Sequence, residues 1–382
     1  MRQTFPNLAT VLRINSSLGI VLEGYGLKKS QLGESSPQSL EYYFADSSTS
    51  AIIEHNFKWA AGERLRPIFQ FAYIMLPTPC NQACKGCFMG QDKKKLPRRL
   101  KGPYFSIGEL SEILLFLKKH GAKAIVYGGG GELFAWQGAF DFIQMVHSFD
   151  LKMVIFTNGT LLSKDDVVRL NDLGVVLIVS LRDTVETYHN SIVGSRGFVA
   201  TLSTVEYALA EGMHLDNRLA VEIPVTKDNE RRVLDEFLPA MRYLNIVPMI
   251  EEYIQISVSE EERAFSHNFR QAKRFFEKAC ARDAEIGIRW MPELGTRMVG
   301  QPRCRRPLYS LAIFPSRDVM DCPSHSICYG NLKRDSLEKI VYSDTFKKAI
   351  LEFELCACSV FYTDSNWELY NKTLPTYLEA LK

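Results

Sequence analysis

Residues 80–87 read CNQACKGC, with cysteines at positions 80, 84 and 87 and none following until Cys280. Thiolates are soft ligands that select zinc or iron–sulfur clusters. A structural zinc ion closes its shell with four ligands, and this loop offers three. Three cysteines on one short loop can instead hold three irons of a cubane and leave the fourth iron open to an outside group. A zinc site completed by a distant residue is the alternative.

The sequence around this loop sets its place in a fold. From residue 68 onward, short β-branched and aromatic runs alternate with amphipathic segments. The run IFQFAYIML (68–76) reads as a strand. SIGELSEILLFLKKHG (106–121) then reads as a helix, opened by a capping box of Ser106 and Glu109. KAIVYG with AFDFIQMVHSF, KMVIFT with SKDDVVRLNDLG, and VVLIVSL with ATLSTVEYALAEG repeat the pattern. RLAVEIPVT with NERRVLDEFLPAMRYLN is the next round, and IVPMIEEYIQI supplies a last strand. Units spaced by roughly 25–30 residues suit right-handed βαβ crossovers and a parallel sheet. The fold class is therefore α/β, as a partial (β/α)6 barrel or a doubly wound sheet.

Lysine plus arginine number 46 against 44 aspartate plus glutamate in 382 residues. That balance gives no electrostatic footprint for nucleic acid or an anionic membrane. The apolar runs ILLFL and VVLIV are too short to span a bilayer, and MRQTFPNLAT lacks a signal-peptide core. A soluble cytoplasmic protein is expected, and in that compartment nine cysteines point to metal or redox chemistry rather than disulfides.

In parallel α/β folds ligands bind at the carboxyl ends of the strands. The polar loops of this chain fall there: CNQACKGC after the first strand, GGGGE (Gly128, Gly129, Gly130, Gly131, Glu132) after the second, and TNG (157–159) after the third. SLRD (180–183) and TKDN (226–229) follow the fourth and fifth. Glycines let a backbone approach a ligand closely, and Glu132 offers a carboxylate to an ammonium group.

With these motifs together, the chain resembles the radical S-adenosylmethionine enzymes over roughly residues 68–256, by the loop-and-strand count. The resemblance implies that Cys80, Cys84 and Cys87 hold a 4Fe-4S cluster whose open iron binds S-adenosylmethionine. Reductive cleavage of the cofactor then gives a 5′-deoxyadenosyl radical that abstracts hydrogen from substrate. It makes the glycine loop and Glu132 cofactor-binding, and Ser180 and Arg196 candidates for the cofactor's ribose or carboxylate. Gly86 stands where the family carries an aromatic residue, with Phe88 just after Cys87, and Leu133 stands where it carries proline.

The late cysteines carry a resemblance of their own. CRRPLYSLAIFPSRDVMDC followed by YGNLKRDSLEKIVYSDTFKKA resembles the SPASM/twitch extension, which holds auxiliary clusters. Arg317 occupies a position where that extension has glycine. The cysteine count suits one auxiliary 4Fe-4S cluster, with Cys304 and Cys322 as ligands and the remainder from Cys328, Cys356 and Cys358. Structural zinc is the alternative there.

The expected domains are residues 1–67 of unassigned fold, a core over 68–257, a helical bridge over 258–300 and an auxiliary-cluster domain over 301–382. LYSLAIFPSRDVMDC reads as a hairpin. Cys280, on the bridge helix, reads as a buried thiol, with donation of a hydrogen atom to a substrate radical as the sharper alternative. Glu251 and Glu252 follow the sixth strand and face either the site, as a candidate substrate-binding pair, or solvent. The resemblance implies a flavodoxin- or ferredoxin-type electron donor. A small polar substrate such as a sugar, cyclitol or natural-product intermediate is expected, with maturation of a ribosomal peptide as the runner-up and a non-catalytic redox or iron sensor as a third reading.

Overall fold

The structure is a computed structural model, and it describes residues 49–85, 87, 101–253, 266–267, 269–288, 306–323 and 328–353. Cys304, Cys356, Cys358, Gly86, Phe88 and residues 1–48 lie outside the described residues.

Six strands pair side by side in chain order, all parallel: β1 (Phe71–Ile74), β2 (Ala124–Tyr127), β3 (Lys152–Thr157), β4 (Val176–Ser180), β5 (Leu219–Val225) and β6 (Val247–Glu252). A doubly wound sheet reverses its strand order at a switch point. From β1 to β6 this one does not, so the partial-barrel reading holds and the doubly wound one does not.

The helices between the strands follow from local chemistry. In α2 (Ile107–Lys119), Ser106 accepts the Glu109 N–H and Glu109 accepts the Ser106 N–H, the capping box expected from sequence. Leu110, Ile113, Leu114 and Leu117 recur at helical spacing and are buried, each worth roughly 1.5–3 kcal/mol of apolar burial. Truncating fully buried Leu114 to alanine should cost about 2–5 kcal/mol. Before β1 lies α1 (Thr49–Ala60), inside the segment whose sequence pattern assigns no fold. Its Asn56 ties two chain ends together, with Nδ2 donating to the carbonyls of Ile68 and Leu308.

Next come α3 (Ala139–Ser148) and α4 (Lys164–Asp172), then two helices after β4, α5 (Glu186–Val193) and α6 (Phe198–Ala210). The sequence pattern shows α6 and misses α5, a short helix rich in residues with no strong helical preference. After β5 the chain coils through α7 (Glu230–Arg232), a π-helical turn (Val233–Phe237) and α8 (Leu238–Tyr243). The bridge helix α9 (Phe269–Glu285) docks on α8 through the buried pair Arg242–Asp283, at 3.1 and 2.5 Å.

The carboxy-terminal part joins the same sheet. β7 (Ser310–Ile313) pairs in parallel with β1, while β8 (Asp318–Met320) and β9 (Cys328–Asn331) continue it antiparallel, giving the order β6-β5-β4-β3-β2-β1-β7-β8-β9. The predicted hairpin is present as β7–β8. Its strand β7 also extends the barrel sheet, which local sequence did not show. Two short helices follow, α10 (Leu337–Val341), capped by Ser336, and α11 (Asp344–Leu351), capped by Ser343.

Candidate cofactor site at the carboxyl ends of the strands

The cysteine loop leaves β1 and is fastened to the segments that succeed β2, β3 and β4. Thr78 hydrogen-bonds the Tyr127 hydroxyl at the end of β2, and the Glu132 N–H donates to the Pro79 carbonyl at 2.9 Å. Asn81 donates to the Thr160 hydroxyl at 2.7 Å and accepts from Asn158 at 2.9 Å, both residues lying after β3. The Ala83 and Lys85 N–H groups donate to the Val193 and Ile192 carbonyls at 3.1 and 2.8 Å. Cys84 therefore sits between two residues strapped to the last turn of α5.

Further round the rim, Asn229 after β5 donates to the Pro224 carbonyl at 3.0 Å and reaches the Arg182 carbonyl at 3.5 Å. The five loops singled out by sequence are thus joined into one hydrogen-bonded rim.

The glycine loop packs closely on the cysteine loop. Gly129, Gly130 and Gly131 all have positive φ, at 126°, 112° and 131°. A Cβ on Gly130 would lie 2.3 Å from the Leu76 carbonyl oxygen, and one on Gly131 would lie 2.1 Å from that of Thr78. The partner these glycines approach is the backbone leading into the cysteines. Gly128 has a different constraint, because a Cβ there would meet the Phe156 ring at 3.2 Å.

Glu132 is buried at 2 % exposure. Its carboxylate accepts from the Thr157 hydroxyl and the Asn158 N–H, both at 2.8 Å, and from the Phe134 N–H at 3.3 Å. Burial pushes its carboxyl above the ordinary value against the pull of those donors. Here it binds the loop after β3, an arrangement that holds Asn158 against the cysteine loop.

Across the mouth, parallel pairing aligns Ser180 with Glu222 and Pro224 with Glu251, on one face of the sheet. The Ser180 side chain stands close enough to Glu222 to draw its carboxyl down. Arg182 donates to Glu222 at 3.4 Å, and its charge also acts on Cys84, Cys87 and Glu251. Burial raises the Glu222 carboxyl, Arg182 opposes this, and Glu251 adds to it. The Cys84 thiol is pushed up to about 11, chiefly by burial, while Arg182 draws it down.

Sequence reasoning singles out Ser180 and Glu251 and misses Arg182 and Glu222. The only available signals are an arginine directly after strand four and a glutamate at an inward strand position.

Arg196 is exposed in the turn between α5 and α6. That turn lies against the cysteine loop, since a Cβ on Gly194 would meet the Ala83 carbonyl oxygen at 3.2 Å and one on Gly197 the Gln82 amide at 2.8 Å. Cys280 is on α9, the helix docked outside α8, where burial pushes its thiol up to about 11 with Asp283 and Glu277 of the same helix adding to the effect.

Cys322 is buried and Cys328 exposed. Met320 pairs with Cys328, which brings both cysteines to the Met320 end of the β8–β9 ribbon, the end running away from the rim. His325 lies outside the described residues. Among the described residues, no three histidine, cysteine, aspartate or glutamate side chains form a group that could hold a single metal ion. No described helix is long and apolar enough to cross a membrane.

A singly wound parallel βα body with a three-thiol loop on the carboxyl rim defines an α/β domain built to carry an iron–sulfur cofactor. Residues 76–240 match the model of the radical SAM superfamily, and this part of the chain is a radical SAM domain. The donor set fits the cluster of that family, in which each ligating thiolate sits on a different iron.

The chain is 26% identical over 199 residues to a tungsten-containing aldehyde ferredoxin oxidoreductase cofactor-modifying protein of Pyrococcus furiosus, covering 48% of this chain and 54% of that protein. It spans between about a third and about half the length of the curated relatives it matches.

Two solved structures share its fold. Native anSMEcpe with bound AdoMet gives a TM-score of 0.60 at 12% identity, covering 81% of this chain and 99% of that one. SuiB of Streptococcus suis bound to the precursor peptide SuiA gives 0.59 at 14% identity, covering 91% and 83%.

Proposed function

We propose that this protein is a radical SAM enzyme that modifies a polypeptide substrate. The observation that carries the reading is the placement of Cys80, Cys84 and Cys87 on a loop tied to every neighbouring loop of the rim, beside a mouth lined by Ser180, Arg182, Glu222 and Glu251. When bound there, the reduced cluster with S-adenosylmethionine supplies a 5′-deoxyadenosyl radical for hydrogen abstraction.

The chain's own residues do the rest. The three thiolates would ligate iron. Glu132, Asn158 and Asn81 hold the loop that carries them. The turn of Arg196 covers its outer side, and Ser180 and Arg196 would meet the polar ends of the cofactor. Cys304 and Cys322, with the remaining ligands from Cys328, Cys356 and Cys358, would hold one auxiliary cluster. A flavodoxin- or ferredoxin-type protein in the reducing cytoplasm would deliver the electron.

Peptide substrates gain support from SuiB, which is similar in fold and is bound to a precursor peptide in its solved structure. The expectation of a sugar, cyclitol or similar small metabolite has no comparable support.

The test is anaerobic reconstitution with iron, sulfide, reductant and S-adenosylmethionine, followed by assay of 5′-deoxyadenosine with and without candidate precursor peptides. Cleavage should vanish in the Cys80→Ala, Cys84→Ala, Cys87→Ala triple variant. Cleavage that survives the triple variant defeats the cluster assignment, and cleavage that stays uncoupled from every peptide while coupling to a small metabolite defeats the peptide reading.

A further inference from the structure

Among the described residues of the rim, Arg182 is a charged group that the proposed chemistry leaves unused. Arg182 lies two residues beyond the end of β4, and its backbone is fixed from two sides: its N–H donates to Nδ1 of buried His189 at 3.2 Å, and its carbonyl takes the Asn229 amide at 3.5 Å. His189 belongs to α5, the helix whose last carbonyls strap Ala83 and Lys85 on either side of Cys84. One short helix therefore sets both the arginine and the cysteine loop. The Arg182 side chain runs toward Glu222, which is held in register opposite Ser180.

Among the described residues of this mouth Arg182 is a cation with acidic neighbours. Glu222, Cys84, Cys87 and Glu251 all act electrostatically on its charge. Its side chain is 27% exposed against 8% for Glu222, and their contact is a single one of 3.4 Å. Arginine stays protonated under any working condition, so this is a permanent charge. With two carboxylates and a thiolate loop around it, the pocket is poorly suited to a further anion. A fixed cation beside thiolate ligands does suit an iron–sulfur centre, whose potential follows net charge and hydrogen bonding around the sulfurs.

We propose that Arg182 is the counter-charge of the cluster held by Cys80, Cys84 and Cys87, easing uptake of one electron, with Glu222 partly neutralising that charge. The inference rests on the reading of those cysteines as cluster ligands. It assigns the two residues effects of opposite sign: loss of the guanidinium makes the cluster harder to reduce, and loss of the Glu222 charge makes it easier. His189 and α5 fix the distance over which the charge acts.

The experiment is a redox titration of the reconstituted full chain followed by electron paramagnetic resonance. The rim cluster is identified as the signal that changes when S-adenosylmethionine is added. Arg182→Gln should shift the reduction equilibrium against the reduced state by about tenfold, which is about 59 mV for a one-electron couple. Arg182→Lys should recover most of the shift, and Glu222→Gln should move the equilibrium the other way.

Titrations of Arg182→Gln and Glu222→Gln that both coincide with the wild type, or shift together in one direction, overturn the proposal. If Arg182→Gln fails to retain iron, Glu222→Gln decides alone: easier reduction supports the proposal, and no change or harder reduction overturns it. A wild-type chain that holds no cofactor-responsive cluster defeats the underlying cluster reading instead, which iron and sulfide analysis separates from a negative titration.

Discussion

The guanidinium of Arg317, in the β7–β8 turn, lies across the carboxylate of Glu109, in the first turn of α2, with Nε–Oε1 at 2.8 Å and Nη2–Oε2 at 3.1 Å. The same guanidinium donates to the carbonyls of Pro103, Tyr104 and Pro315 and stacks 3.8 Å over the Phe105 ring. Its backbone has φ of 74°, a left-handed conformation. This explains the sequence anomaly at 317: the turn demands the geometry that glycine supplies freely, and arginine accepts the strain while its side chain clamps the carboxy-terminal hairpin to the barrel.

Arg317→Ala should therefore destabilise the protein by about 1.5–3 kcal/mol, since it removes charge-assisted hydrogen bonds from a buried side chain and keeps the backbone strain. Arg317→Gly should be less damaging than alanine by about 1 kcal/mol, because it relieves the left-handed conformation. Urea unfolding of the two variants in parallel measures the difference. Equal losses would mean that φ at 317 carries no strain.

The same pair gives a pH dependence. Hydrogen bonding from Arg317, with help from Ser106, holds the Glu109 carboxyl at about 2, below its ordinary 4.5. Between those values the unfolded chain binds a proton that the folded chain does not. The stabilisation is thus complete above about pH 4.5 and is lost as pH falls toward 2. Acid unfolding of wild type and Arg317→Met should converge across that window; a gap that stays constant would remove Glu109 from the account.

At Gly131 a Cβ would overlap the Thr78 and Pro79 carbonyl oxygens, at 2.1 and 2.7 Å. Gly131→Ala should cost about 1–3 kcal/mol through forced displacement of the cysteine loop, and should lower the iron retained after reconstitution. Gly108, in α2, has an ordinary φ and nothing within 4 Å of where an alanine methyl would stand. Gly108→Ala should be stabilising by about 0.5 kcal/mol with unchanged iron content. Thermal melts with iron analysis test both.

Glu132 is buried with its carboxyl raised above the ordinary value. The folded chain then holds a proton more readily than the unfolded one. The associated stability is present below pH 4.5 and is lost as pH rises through the folded value. Glu132→Gln cannot ionise, so its stability should change less with pH above 4.5 than that of the wild type. It should also lose about 1 kcal/mol near pH 4.5, because an amide nitrogen replaces one of the two carboxyl oxygens, of which Oε1 accepts from Thr157 and Oε2 from Asn158. Denaturant unfolding at a series of pH values reads both effects; parallel wild-type and variant profiles would contradict them.

Asp283 and Arg242 form a pair that is 2% and 4% exposed, joining α9 to α8. Asp283→Ala should cost about 3–5 kcal/mol by stranding a buried guanidinium, and the double variant Asp283→Leu, Arg242→Met should recover most of it. Calorimetry of single and double variants checks this, and a double variant as unstable as the single would show that packing around α9, rather than the charge, dominates.

The local reading of the chain reached far because its signals are short-range. The run KMVIFT coincides with β3, and the Ser106–Glu109 capping box is present as expected. The order of βα units follows from right-handed crossovers, which need no long-range information. The cysteine loop, the glycine loop and TNG all fell on the rim because the chemistry of a turn after a strand is written in a few adjacent residues.

What sequence alone determined is the inventory: three thiols on a loop after strand one, a glycine run after strand two, and a parallel α/β body to carry them. Tertiary structure decided the partners. Only the packed sheet shows that Gly130 and Gly131 press on the path into the cysteines, that Glu132 is occupied by Thr157 and Asn158, and that β7 extends the barrel beside β1. Arg182 and Glu222 are forty positions apart in the chain and meet because β4 and β5 align Ser180 with Glu222. The physical reason is that propensity and turn chemistry act between neighbours in sequence, whereas close backbone approach, buried charge pairing and electrostatic reach depend on distances set only when the strands are in register.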